Sequence, residues 1–442
     1  MSKVNFLSAL MLLGTVSPAS ADEVKELREL VEVLWERVDR LEETLAAYGQ
    51  QSEQSQSSLQ RVQSQMETMA KEVGSARERM ESQETFGEFL EGWKLGAGAT
   101  FIYQTTDQAN GDSLSSSGED VGDASYSIDL ELEKGWAEWG TAYLHIETGD
   151  GAGVEDELKV FSNVNRDADD SNNALNVTEI WYEHTQDSLV FTFGKLDPAI
   201  YIDTNAYAND ETTQFLGRIF RNSPTLEFPD NSGGVRLALA PTDWLQLDTL
   251  ALDGDSDFED FFEDGFMSGQ IQLNTSLSGH PGHYRLLGWW SERGHTRWEN
   301  RTDIKQEAFG FGLSLDQEGT QGLGLFARYA WQDPRHFLNG TDFSLEHSLS
   351  GGAQISGELW GRSDDVFGLA IGQVIPSRDY KKADTSRRGR TEGHAEAYYR
   401  IQVNPHIAVS PDVQVIWNPL GKDAPLGDDT IIVGGVRSQV DF

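Results

Sequence analysis

The sequence contains no cysteine. That excludes a disulfide framework, thiol catalysis and a thiolate metal site. After the first residues it also has no stretch near the roughly 18 consecutive apolar residues a membrane-crossing helix needs. Bases are scarce, with 34 Lys and Arg against 73 Asp and Glu and a net charge of −39. Nucleic acid is therefore a poor partner, because phosphate binding needs clustered cations. Catalytic signatures are missing as well. The 9 histidines form no His-x-x-x-His pair, and no serine sits in a Gly-x-Ser-x-Gly elbow. Gly149-Asp150-Gly151-Ala152-Gly153 lacks the strand-to-helix setting of a phosphate loop. An enzyme, a cofactor or a resident metal is not expected. A mean hydropathy of −0.48 would by itself describe a soluble chain.

What is present points elsewhere. Ile432, Val436, Val440 and Phe442 share one parity with Gly434 and Ser438, while Arg437, Gln439 and Asp441 take the other. This is a strand with one apolar and one polar face, ending on an aromatic carboxy-terminus. Residues 1–21 read as a secretory signal: Lys3, an apolar core from Phe6 to Leu13, and a small-residue cleavage site at Ala19-Ser20-Ala21. An exported chain with such a terminus implies a bacterial outer-membrane β-barrel. Hydropathy misses barrels because lipid-facing and lumen-facing residues alternate.

Residues 22–83 carry a different period. From Val24 to Met80 one heptad register holds, with Val24, Val31, Val38, Leu45, Leu59, Met66 and Val73 on one seam row and Leu27, Leu34, Leu41, Tyr48, Val62 and Met69 on the other. That spacing predicts a coiled coil, about 85 Å long at the α-helical rise. Ser52 and Ser55 sit in the seam and mark a weak joint. Val and Leu in the two rows favour two strands, but Leu30 and Trp35 widen the stripe toward a homotrimer. A single amphipathic helix folded back on the protein is the alternative.

From residue 86 onward a period of two dominates. Strands are expected near 93–103, 125–133, 136–147, 177–185, 189–195, 234–240, 243–252, 266–275, 282–292, 306–316, 322–332, 347–356, 364–375, 394–403, 411–418 and 430–442, making a 16-stranded antiparallel barrel over 86–442. Tyr126, Ile128, Leu130 and Leu132 oppose Ser127, Asp129, Glu131 and Glu133. Phe309, Phe311, Leu313 and Leu315 oppose Ala308, Gly310, Gly312 and Ser314. The polar faces are too numerous and too charged for a packed core, so the apolar faces should meet lipid. Short connections such as Lys134-Gly135 and Pro241-Thr242 alternate with long ones, as expected of a barrel with unlike rims. An even strand count returns Phe442 to the side of entry and puts the coiled coil in the periplasm.

The longest connection follows the fifth strand and is rich in amides and aromatics, which marks a functional loop. Its run Gly194-Lys195-Leu196-Asp197-Pro198, continuing Tyr201-Ile202-Asp203-Thr204-Asn205-Ala206-Tyr207-Ala208-Asn209-Asp210-Glu211-Thr212-Thr213-Gln214-Phe215-Leu216, resembles the carbohydrate-selective, OprB-like porins. Glu179-Ile180-Trp181-Tyr182-Glu183, Gly288-Trp289-Trp290, Glu396-Ala397-Tyr398-Tyr399-Arg400 and Pro411 through Pro419 add to the resemblance, which covers about 93–442. It implies a sixteen-stranded outer-membrane barrel that passes sugars by diffusion, narrowed by loops folded inward. The coiled coil lies outside it.

Parity places Arg236, Arg285, Arg328 and Arg400 on lumen-facing positions of four strands. The long loop offers Asp203, Asn205, Asp210 and Glu211, with Arg218 and Arg221 near its end and Tyr201, Tyr207 and Phe215 as rings for sugar faces. The expectation is an eyelet of wall arginines facing loop acids, suited to hydroxylated neutral solutes, with weak ion selectivity. Structural ion pairs for the arginines and loop packing for the rings are the plainer alternatives. The acidic run from Asp253 to Asp264 reads as a solvated outer loop, or as a bridge through divalent cations to lipopolysaccharide. A second functional reading makes the barrel an anchor whose coiled coil ties the outer membrane to the cell wall.

Overall fold

The computed structural model describes residues 92–442 except 112–119, 137–138, 169–170, 260–262, 321 and 425–428. The signal at 1–21 and the coiled coil at 22–83 lie outside the described residues. The strands are β1 (Trp93–Asp107), β2 (Gly122–Trp136), β3 (Gly140–Asp150), β4 (Asn176–Gln186), β5 (Leu189–Leu196), β6 (Ser232–Thr242), β7 (Leu245–Asp253), β8 (Gly265–Leu277), β9 (His280–Arg297), β10 (Gln306–Glu318), β11 (Leu323–Gln332), β12 (His336–Leu338), β13 (Leu345–Ser356), β14 (Val366–Pro376), β15 (Glu392–Asn404), β16 (Ile407–Trp417) and β17 (Thr430–Asp441). Two short helices, α1 (Arg218–Arg221) and α2 (Arg378–Ala383), lie in connections.

Every long strand pairs antiparallel with its chain neighbours, and β1 also pairs with β17 from Gly98↔Asp441 to Asp107↔Ile432. The sheet is thereby closed and has no free edge. β12 is an addition outside the ladder: β11 pairs directly with β13, while β12 bonds to the extended end of β9. The barrel is therefore sixteen-stranded, as alternation predicts, and β9 runs to Arg297 because its last residues pair with β12. Phe442 completes the closure, its N–H donating to the Ala97 carbonyl at 2.9 Å.

The two faces sort as parity requires. Val235 and Leu237 are 42% and 45% exposed on the outside, whereas Thr192, Asp248, Gln270 and Ser314 are buried within. Phe309, Phe311, Leu313 and Leu315 all lie outward. Trp136, Trp139, Trp244, Trp360 and Phe442 are exposed near the short-turn rim, the position of an interfacial aromatic girdle. The other rim carries the long connections, including 151–175, 197–231, 377–391 and 418–429.

The interior is not uniformly polar. Leu250, Leu252, Phe266, Leu287, Trp289, Ala308 and Ala330 face inward from β7 to β11 and form one buried cluster with Leu196, Ile202 and Leu226. A second cluster joins Phe326, Ala370, Val374 and Tyr398 of the wall to Phe215, Ile219 and Phe220. Ile202, Leu226, Phe215, Ile219 and Phe220 all belong to the 197–231 connection. That loop therefore runs inside the barrel, because an apolar stretch of inner wall needs covering. Burying each such side chain stabilises the arrangement by about 1.5–3 kcal/mol.

Candidate functional site: the in-folded loop and the cavity beside it

The loop begins with a turn of 3-10 helix, Pro198–Ile200, capped by Asp197, which accepts from the Ala199 N–H at 2.7 Å. It then crosses the lumen on polar pins. Asp203 takes a positive φ of 61°, donates its N–H to Gln270 at 3.0 Å, and accepts from the Ser223 N–H at 2.7 Å. Asn205 donates to Ser314 Oγ and the Leu315 carbonyl. Arg328 donates to the carbonyls of Phe220 at 2.5 Å and Asp203 at 2.9 Å, and to Asn209 Oδ1 at 3.2 Å. Farther round, the buried Glu396 carboxylate accepts from the N–H groups of Leu216 at 2.6 Å and Gly217 at 2.9 Å. Arg437 donates to the Glu211 carbonyl at 2.5 Å.

The wall arginines are thus spent on structure. Arg328 and Asp203 form an ion pair at 3.3 Å with side chains only 1% and 0% exposed. Burial pushes the Asp203 carboxyl up, against the pull of Arg328 and the Ser223 N–H. Arg236 pairs with Asp248 at 2.6 Å and stacks on the Tyr201 ring at 4.5 Å. Arg285 pairs with Asp316 at 2.5 Å. The Arg400 side chain is half-buried and makes no hydrogen bond or ion pair among the described residues. Tyr207 lies against Gly324, where an added Cβ would come within 2.1 Å of its ring. Phe215 sits in the loop core against Tyr398, edge to face at 5.0 Å. Of the wall arginines, Arg328 faces a loop acid, Asp203, whereas Arg236 and Arg285 pair with the strand acids Asp248 and Asp316. Arg236, Arg285 and Arg328 meet carboxylates or loop carbonyls first, because the covered inner wall is where the loop must be held.

The loop covers the wall from β7 round to β15, is pinned to β17 at Arg437, and leaves the side of β1 to β4 and the end of β17 open. There a cavity of about 1280 Å³ lies between wall and loop. The wall presents Asp129, Glu131, Tyr143, His145, Glu147, Glu179 and Asp441 to it. His145 Nε2 lies 2.8 Å from Asp129, and Tyr143 stacks on Trp181 with ring centroids 4.9 Å apart. The loop side presents Asp210, Glu211, Arg218 and Arg221, joined by Arg166 of the neighbouring 151–175 connection. Of the residues expected at the site, the structure brings these four loop residues to the cavity. It sets Tyr201, Asp203, Asn205, Tyr207, Arg236, Arg285, Arg328 and Arg400 away from it.

The guanidinium groups of Arg166 and Arg218 form no ion pair within 4 Å among the described residues, while their main chain is fixed by the loop. The Arg166 N–H donates to the Leu216 carbonyl and the Arg218 N–H to the Asn163 carbonyl. Burial, then the like charge of Arg166, brings Arg218 down to about 10, so it stays cationic at neutral pH. Arg221 pairs with Glu211 at 2.7 Å and Asp197 at 3.6 Å. Burial lowers it, but these two carboxylates outweigh burial and hold it above its ordinary value. Asp129 and Glu131 were legible as polar positions and Arg166 was not singled out, because nothing local marks which stretch of inner wall stays uncovered.

A closed sixteen-stranded barrel with an apolar outer belt and an inward-folded loop defines an outer-membrane channel. The chain belongs to the carbohydrate-selective porin, OprB family, whose profile matches residues 116–442. It is accordingly a channel for the passive diffusion of sugars and small solutes. Among solved structures, Pseudomonas putida OprB at high pH superposes with a TM-score of 0.67 at 18% identity, over 81% of this chain and 96% of that one. The outer membrane channel DcaP of Acinetobacter baumannii gives 0.49 at 14% identity, over 79% and 97%. No curated protein sequence matches the chain.

Proposed function

We propose that sugars cross through the cavity between the carboxylate wall of β2 to β4 and the loop face carrying Arg166, Arg218 and Arg221. The observation that carries this reading is the juxtaposition of the two charge types across one open space. Carboxylates accept from sugar hydroxyls and guanidinium groups donate to them, while Tyr143 offers a ring face. Such contacts are exchanged one for another along the path, which keeps binding weak enough for release. The chain performs no catalysis. The long-loop rim faces lipopolysaccharide and the short-turn rim the periplasm. The sequence of 1–21 supports an export signal and the heptad register of 22–83 supports a periplasmic coiled coil joining three copies, with the cell wall as a candidate contact; both segments lie outside the described residues. Pore-lining roles are assigned to Asp210, Glu211, Arg218 and Arg221 from the expected set, with Arg400 as a lumen cation outside the cavity. Tyr201, Asp203, Asn205, Tyr207, Arg236, Arg285 and Arg328 position the loop.

Single-channel conductance in planar bilayers tests the path. Addition of a neutral monosaccharide should reduce the ion current reversibly, and Arg218→Ala should weaken that block about tenfold. Equal block in the variant would remove Arg218 from the path. A barrel that never conducts would favour the anchor reading, for which the heptad register of 22–83 is the motivating feature.

A further inference from the structure

The connection between β7 and β8 carries an acidic spacing that the solute path does not use. It begins Asp253-Gly254-Asp255-Ser256-Asp257-Phe258-Glu259. Asp253, Asp255 and Asp257 converge, each offering a carboxylate oxygen within 4.8 Å of the others. Acidic loops are common, and spacing alone carries little. The second observation is Asp253 itself. It is 0% exposed, its Oδ2 accepts from the Phe258 N–H at 2.8 Å, and its Oδ1 has no hydrogen-bond partner. A buried carboxylate oxygen beside two further carboxylates is costly unless a proton is shared within the cluster or a cation is bound there.

We infer that this turn is a calcium site. Asp-x-Asp-x-Asp places ligands at the first, third and fifth positions of a calcium loop. The sixth position of such loops requires a sharp turn, and Phe258 there adopts a positive φ of 65°. The twelfth position falls on Asp264, whose carbonyl already accepts from the Gly254 N–H and closes the turn. The set contains only hard oxygen donors, with no histidine from 253 to 264, which disfavours zinc and copper. Magnesium requires stricter octahedral geometry and gives up its water reluctantly, so calcium fits a loop of this kind better. Bound calcium ties the end of β7 to the start of β8 on the long-loop rim.

The test uses the full chain, purified in detergent and stripped with a chelator. Calorimetric titration with CaCl₂ should show one ion per chain, with a dissociation constant on the order of 10⁻⁴–10⁻³ M, the range of extracellular calcium modules. The double variant Asp255→Asn, Asp257→Asn should bind at least about tenfold more weakly. Both side chains are exposed, so the barrel should fold normally. Glu299→Gln, on the next long connection, should leave binding unchanged. No calcium binding in the wild type up to about ten times the upper end of that range, or equal binding by the double variant, would overturn the inference. Equal affinity for MgCl₂ would overturn the assignment to calcium.

Discussion

At the scale of single residues, the protein separates cations that hold the loop from cations that border the open cavity. Arg328 belongs to the first kind. Its guanidinium reaches Phe220, Asp203 and Asn209 at once, and no shorter or single-point cation can replace that geometry. Arg328→Ala leaves Asp203 buried without its counter-charge, a loss of about 3–5 kcal/mol by analogy with other buried pairs. The folded barrel should lose heat resistance on semi-native gels, and single channels should open wider and noisier as the loop lifts. Arg328→Lys should restore little of either. Glu155, in the 151–175 connection, gives a pH-dependent counterpart. Its Oε1 accepts from the Val164 and Asn165 N–H groups at 2.5 and 2.6 Å, but burial dominates and raises it to about 7. A carboxyl raised in the folded state stabilises fully below its unfolded value and loses that contribution as pH rises through the folded value. Amide exchange over 153–165 should therefore quicken, beyond the intrinsic effect of pH, between about pH 4.3 and 7. Glu155→Gln keeps an acceptor for the two N–H groups and should flatten that dependence.

At the scale of elements, the strands and the loop were legible to different degrees, for a physical reason. Strand faces follow a local period of two, so Val235 and Leu237 outward and Arg236 inward could be read from neighbours in the chain. One exception is β7, where Leu245-Gln246-Leu247-Asp248-Thr249-Leu250-Ala251-Leu252 is apolar on both faces toward its end. An inward apolar face implies a cover, and the cover is the loop. The loop's path depends on contacts far apart in sequence, such as Leu216 with Glu396 and Glu211 with Arg437. Nothing local encodes them, so the loop acids were legible as functional and their partners were not. Gly324 shows how closely loop and wall fit. Any side chain there meets the Tyr207 ring. Gly324→Ala should leave β11 paired and displace Tyr207. Overpacking of this kind costs about 1–3 kcal/mol. The check is tryptic cleavage after Arg218 in folded protein, slow in the wild type and faster in the variant. Unchanged cleavage would mean the loop accommodates the methyl group.

At the scale of the whole molecule, the question is which charges set ion preference. The chain is acidic throughout, but exposed charge on distant loops is screened beyond about 8–10 Å at ordinary salt. Only groups bordering the cavity should count. There Asp129, Glu131, Glu147, Glu179 and Asp441 stand on the wall. Against them Arg221 is already neutralised by Glu211 and Asp197, leaving Lys195, Arg166 and Arg218 as cations, with Asp210 and Asp230 adding to the acids. Asp167 also borders the space, but burial and the nearby charge of Glu211 push its carboxyl up, which reduces its share. The local balance is negative, so reversal potentials under a salt gradient should show a cation preference, more than the near-neutral eyelet of wall arginines would give. Replacing Asp129 and Glu131 by Asn and Gln should move the reversal potential toward anions. Replacing Arg166 and Arg218 by Ala should move it farther toward cations and weaken sugar block together, because both effects arise from the same guanidinium groups. Replacing Arg236 should alter selectivity little, since its charge is met by Asp248 inside the wall. If Arg236 moved the potential and the Asp129–Glu131 pair did not, ions would be passing behind the loop and not through the cavity in front of it.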